Sequence, residues 1–225
     1  MKKRLLCCVL GISLCLLSGC GNENTQVTDN TQKNEENVSV EKEEDNQSDI
    51  TFSYDELENG TLSIWSYTGG ENNTMITIPS EISGKKVSEV TGPLLKTNDK
   101  VKKVVLPETV TEIGKETFYF ALNMEELIVN GAVESVGKQG IYGCSKLKTL
   151  TFKDGLKYLE EDAIGQCENL TDVYLPGMLE SIDSSNFGLC ADPIKIHVPA
   201  GSDTETLMEK VVQEHISSNI EIVSE

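Results

Sequence analysis

From residue 104 the chain reads VVLPETVTEIGKETFYFALNMEE (104–126), LIVNGAVESVGKQGIYGCSKLKT (127–149), LTFKDGLKYLEEDAIGQCENLTD (150–172) and VYLPGMLESIDSSNFGLCADPIK (173–195). Each segment is 23 residues long, and they align without a gap. Apolar residues stack down the columns: Val104, Leu127, Leu150, Val173, then Leu106, Val129, Phe152, Leu175, then Val110, Val133, Leu156, Leu179. Three more columns are Ile113, Val136, Leu159, Ile182, then Phe118, Ile141, Ile164, Phe187, then Ala121, Cys144, Cys167, Cys190. In a chain that is 38% hydrophobic, chance would leave about 0.5 of the 23 columns wholly apolar, against six seen. A seventh column, Met124, Leu147 and Leu170, fails only at Pro193. The period belongs to the fold.

A unit this short cannot bury its apolar positions alone. Stacking copies side by side makes the columns one continuous core. The alternation in VVLP, LIV and LTF sends every second residue inward, as a short strand does. Identical phase in each copy makes these strands parallel and in register. The arc through Phe118 to Ala121 must return the chain to the next strand, as a helical turn or an irregular one. Ile196 and Val198 carry the period into a further strand, and Val87, Val90 and Leu95 carry it upstream. The strand Ile76 to Pro79 stands five residues too early, and the excess falls in SEISGKK (80–86), where Gly84 marks a protruding loop.

The ends of the array need covers. Around Glu58-Asn59-Gly60 the pattern alternates apolar and polar, which predicts a β-hairpin over residues 50–70, and Trp65 is read as packing this cap rather than contacting a ligand. Ser202 and Glu205 have capping-box spacing, and Leu207, Val211 and Val212 give a helix of about 12 residues an apolar face. Ile220, Ile222 and Val223 read as a final short strand.

The N-terminus is an address. Lys2, Lys3 and Arg4 precede an uncharged, mostly apolar run from Leu5 to Leu17, the layout of a signal peptide. Leu17-Ser18-Gly19-Cys20 resembles the lipobox of bacterial lipoproteins, which implies that Cys20 carries a lipid and becomes the mature N-terminus. Two acyl chains would hold the protein stably, since each buried CH₂ contributes about 0.8 kcal/mol. Residues 21–49 are almost devoid of apolar side chains and are expected to form a disordered stalk with a mean reach of about 30 Å. The organisation is therefore a signal peptide (1–19), a lipidated cysteine with an acidic linker (20–49), a capping hairpin (50–74), repeats (75–200) and a C-terminal cap (201–225). Loss of the leader would move the balance of charge from −18 to −21, because it holds three cations and no acid. So acidic a chain is a poor partner for nucleic acid.

VVLPETVTEIGKETF, GCSKLKTL and QCENLTDVYLP resemble the bacterial surface leucine-rich repeats called BspA-like, whose pattern runs roughly L-x-x-L-x-L-P-x-x-L-x-x-I-x-x-x-A-F-x-x-C. The likeness covers about residues 50–225. It implies an α/β repeat: a leucine-rich-repeat solenoid with short parallel strands, helical or irregular turns, a hairpin cap at one end and a helix and strand at the other. The family's Ala-Phe pair becomes Thr117-Phe118, Gly140-Ile141, Ala163-Ile164 and Asn186-Phe187, so only the bulky member persists. Such proteins are taken to bind macromolecules outside the cell, which here implies a protein or glycan ligand, with the membrane reached through the N-terminal lipid on its extracellular face. The other reading is a structural, envelope-assembly protein that holds no soluble ligand.

Catalytic patterns are lacking in the sequence. The histidines are His197 and His215, and there is no Gly-rich phosphate loop, Gly-x-Ser-x-Gly elbow or Cys-x-x-Cys pair. The chain is read as a non-enzyme without cofactor or metal. Cys144, Cys167 and Cys190 stand 23 apart and are read as packed thiols of one column. Glu160, Glu161, Asp162 and Glu168 lack the spacing of a calcium loop and are read as solvated turns. The candidate site is geometric. Where the first and third columns point inward, the row between them points out, and that row is Val105, Ile128, Thr151, Tyr174 and His197. Lys103, Glu126, Thr149, Asp172 and Lys195 flank it. A stripe of apolar and aromatic side chains on a sheet suits protein binding, with Tyr a favoured anchor. Exposed strand positions favour the same residue types for packing reasons, so the pattern alone leaves both readings open.

Overall fold

The computed structural model describes residues 47–95, 99–214 and 220–225. The leader, Cys20, the linker up to residue 46 and His215 lie outside the described residues. The end of the expected linker is docked: Gln47 donates from Nε2 to the Met75 carbonyl at 2.9 Å and accepts the Thr77 N–H at 3.1 Å.

The chain winds as a solenoid of short parallel strands. On one side, which we call the back, Glu112–Ile113, Ser135–Val136, Tyr158–Leu159 and Ser181–Ile182 pair in register. This ladder continues from Leu62–Thr68 through Lys85–Val90. On the front, Met75–Thr77, Lys103–Leu106 and Glu126–Val129 form one ladder. Thr149–Thr151, Asp172–Tyr174, Ile194–Val198 and Ile220–Ser224 form a second. The returning arc is irregular rather than helical, and Ile141–Tyr142 pairs there with Ile164–Gly165. Among the described residues the one α-helix is Asp203–Glu214, in the C-terminal cap.

The stacked columns make the core. Val104, Leu106, Val110, Ile113 and Phe118 have no exposed surface, and their equivalents in the next two coils are nearly as deep. Ile182 and Cys190 of the last coil are only half-buried and Pro193 is exposed, because no further coil covers them. The helix replaces that coil. Thr204, wholly buried, donates its hydroxyl to the Pro176 carbonyl at 2.5 Å and accepts the Leu179 N–H at 3.0 Å, while Met208 and Val211 close the core. Ser202 caps the helix by accepting the Glu205 N–H at 3.1 Å, but Glu205 reaches back to the N–H of Gly201 instead of Ser202.

At the other end Thr51–Glu56 and Leu62–Thr68 form the antiparallel hairpin, with Gly60 at φ 81° in its turn. Trp65 is part of this cap, and at 36% exposure it lies on the strand face opposite buried Ile64. The five extra residues near Gly84 form a small hairpin of their own, Glu81–Ile82 against Lys85–Lys86, turned by Ser83 and Gly84 at φ 53° and 78°.

Two departures from the repeat pattern have structural work. Thr117 and Asn186, both fully buried, occupy the position of the small residues Gly140 and Ala163. Thr117 donates to the carbonyls of Val90 and Gly114 at 3.0 and 2.8 Å. A second register position is left-handed in four successive coils: Phe120, Gly143, Gln166 and Leu189 have φ of 53°, 73°, 51° and 57°. Glycine meets that requirement only once.

Candidate functional site

The front strands place the five candidate residues in one row. Val105 pairs with Ile128 in the first ladder, and Thr151, Tyr174 and His197 pair in sequence in the second. Thr77 and Val223 extend the row at either end. None of the five is buried: Thr151 is exposed and the other four are half-buried. Their neighbours along each strand, Val104, Leu106, Leu150, Val173 and Ile196, point into the core, so alternation alone turns the row outward.

Charged side chains border the row. Lys103 pairs with Glu126 at 2.9 Å across adjacent strands. His197 is the most constrained member. Its ring stacks on Tyr174 with centroids 4.1 Å apart and planes 13° from parallel. Nε2 lies 3.0 Å from Asp172 Oδ1, and Nδ1 lies 2.9 Å from Glu225 Oε1. Both ring nitrogens are thus engaged within the chain. Partial burial lowers the imidazole's proton affinity, but the two carboxylates outweigh it and hold the pKa above the ordinary value. The same contact to His197, helped by the Thr171 hydroxyl, holds Asp172 below the usual carboxylate range. The flank row placed Asp172 beside His197 in the sequence; Glu225, in the terminal strand's continuation, carried no such signal.

Cys144, Cys167 and Cys190 are free thiols, the first two buried. Cys144 donates to the Phe118 carbonyl at 3.2 Å and Cys167 to the Gly165 carbonyl at 3.2 Å. Contact with Cys144, then burial, pushes the Cys167 thiol up, away from the reactive thiolate form. Glu160 and Glu161 serve Lys138, accepting its N–H at 2.9 Å and its ammonium at 2.8 Å. Among the described residues no cluster of histidine, cysteine and carboxylate groups has metal-binding geometry.

One surface feature escaped the sequence reading. On the returning arc Tyr119 meets Phe120 edge-on at 4.7 Å and lies nearly parallel to Tyr142 at 5.8 Å. The run TFYFAL (117–122) was its signal, where the sequence pattern points only to an arc returning the chain to the next strand. The Phe120 and Tyr142 rings lie over Gly143 and Gly165 of the next coil, where a Cβ would meet ring carbons at 2.8 and 3.0 Å. Packing between coils accounts for them.

Among solved structures, a leucine-rich cell surface protein from Faecalibacterium prausnitzii is similar at 18% identity, over 77% of this chain and 38% of that one, with a TM-score of 0.48. A T. pallidum leucine-rich repeat protein is similar at 15% identity, over 76% of this chain and 97% of that one, with a TM-score of 0.46. The pneumococcal vaccine antigen PcpA is similar at 18% identity, over 78% of this chain and 48% of that one, with a TM-score of 0.48. The chain thus spans less than half the length of the first and third. No curated protein matches it. Six copies of the BspA type leucine-rich repeat region match residues 95–214, more than half of the sequence, and the chain belongs to that family.

Proposed function

We propose that this protein is a binding module held on the outer face of the cell membrane by lipid at Cys20, and that its front sheet takes a protein or glycan ligand outside the cell. The observation that carries the reading is the outward row Val105, Ile128, Thr151, Tyr174 and His197, which spans the two front ladders with none of its members buried. A row of fixed side chains on a rigid sheet binds at low entropic cost, because little is ordered on contact. The lipobox-like Leu17 to Cys20 supports the anchor. Binding without catalysis fits His197, whose two ring nitrogens are held by Asp172 and Glu225, and Cys167, whose thiol is pushed up.

The test uses Ile128→Asp and Tyr174→Asp against Tyr158→Asp, which sits on the back ladder. Retention on immobilised host and bacterial surface extracts should fall at least tenfold for the two front variants, with melting temperatures unchanged, and persist for the back variant. Equal retention by all three would refute the front face. Enrichment only of components from the same cell envelope would support the envelope-assembly reading instead.

A further inference from the structure

The front sheet is broken at one rung. At the entry to each front strand, the backbone of one coil donates to the coil before it. Lys102 and Lys103 donate to the Thr74 carbonyl at 2.7 and 3.1 Å, Glu125 and Glu126 to Lys102 at 2.7 and 3.0 Å, Thr171 to Lys148 at 2.9 Å, and Lys195 to Thr171 at 2.8 Å. The corresponding bonds from Lys148 and Thr149 to Glu125 are not made, and no ladder joins Glu126–Val129 to Thr149–Thr151. The back ladder continues unbroken past the same level, through Ser135–Val136 and Tyr158–Leu159.

The gap is framed on both sides. Lys146 Nζ reaches Asn123 Oδ1 at 2.6 Å above it, and Lys153 Nζ reaches the Asn130 carbonyl at 2.6 Å below it. Leu127 and Val129 beside it are 6% exposed, whereas Val104 and Leu106, their equivalents one coil earlier, are 0% exposed. A cleft of about 620 Å³ opens here, lined by Glu125, Glu126, Lys146, Lys148 and Asn169. That volume falls within the usual range for small-ligand sites.

We infer that this open rung is a saccharide-binding cleft for a sugar unit bearing both a carboxylate and an amide. It rests on the reading of the front sheet as the binding side, and names the ligand class. The Lys148 and Thr149 N–H groups and the Glu125 carbonyl are peptide groups released from the ladder, two donors beside one acceptor. The Lys148 ammonium has no carboxylate within 4 Å among the described residues, so it is available to a ligand anion. The sugar's carboxylate meets Lys148 and the two N–H groups, and its amide N–H meets the Glu125 carbonyl. A protein partner fits this cleft poorly. Its lining holds no aromatic or aliphatic anchor, and lysine and glutamate are depleted from the cores of protein interfaces.

The test is titration of the intact ¹⁵N-labelled protein with N-acetylmuramic acid and N-acetylneuraminic acid, which carry both groups, and with N-acetylglucosamine and glucose. At least one acidic sugar should shift the amides of Glu125, Lys148, Thr149 and Asn169 saturably, with N-acetylglucosamine at least tenfold weaker and glucose weaker still. Lys148→Gln should weaken the acidic sugar about tenfold, and Tyr158→Asp, on the back ladder away from the cleft, should leave it unchanged. Absence of saturable shifts at these amides would overturn the inference. So would shifts mapping elsewhere, or equal affinity in Lys148→Gln.

Discussion

Asn186 Oδ1 accepts the Ile164 N–H at 2.9 Å, in the place where a backbone carbonyl serves the two coils before it. One coil back the Ala163 carbonyl takes the Ile141 N–H at 2.8 Å, and before that Gly140 takes Phe118 at 2.8 Å. The Asn186 amide nitrogen also ties the carbonyls of Glu160 and Asp183 at 2.8 and 2.9 Å. The side chain therefore replaces a rung of main chain where the array hands over to its cap. Asn186→Ala should cost about 2–3 kcal/mol, because buried peptide groups lose their partners. At about 2–4 °C per kcal/mol for a domain of this size, the melting temperature should drop by roughly 4–12 °C.

Amide exchange reads the broken rung directly. The Thr149 N–H has no acceptor in the preceding coil, whereas the equivalent Glu126 and Lys195 N–H groups are bonded at 3.0 and 2.8 Å. In the ligand-free protein Thr149 should exchange at least a hundredfold faster than either, measured by NMR at neutral pH. Equal protection would mean that the ladder closes in solution.

The clasp on His197 makes stability depend on pH in a stated direction. Its pKa is raised on folding, so its contribution is complete below the ordinary value of about 6.5 and is lost as pH climbs through the raised value. Asp172 is lowered, so its contribution is present above about 3.9 and is lost as pH falls through the depressed value. The melting temperature should peak between those limits. In His197→Gln the decline on the alkaline side should flatten, as calorimetry across the range would record.

Leu189 carries a left-handed backbone at φ 57° with its side chain 60% exposed. A bulky residue there costs about 1–2 kcal/mol relative to its favoured conformation, and asparagine tolerates the region better. Leu189→Asn should therefore raise the melting temperature by a few degrees, measured by thermal unfolding.

The columns made the solenoid legible because burial at a fixed period leaves apolar residues at fixed spacing, and the outward row follows from strand alternation. The rest lay in features without such a period. Thr117 and Asn186 looked like departures from a small-residue column, yet polar side chains there satisfy backbone groups that the repeat itself leaves open. The broken rung has no mark in the pattern, since LIV and LTF keep the apolar phase of their neighbours on either side of it. Trp65 belongs to the cap, as its place in the hairpin implies, but on the strand face opposite buried Ile64. Glu225 reaches His197 only because the terminal strand pairs in register with Ile194–Val198.

The central claim, that the front row is the binding face, is tested most directly by site-specific photocrosslinking on intact cells. A photoreactive residue at position 128 should yield adducts with an extracellular protein or glycan, and one at position 158 on the back ladder should yield none above background. Adducts from position 158 alone would contradict the account.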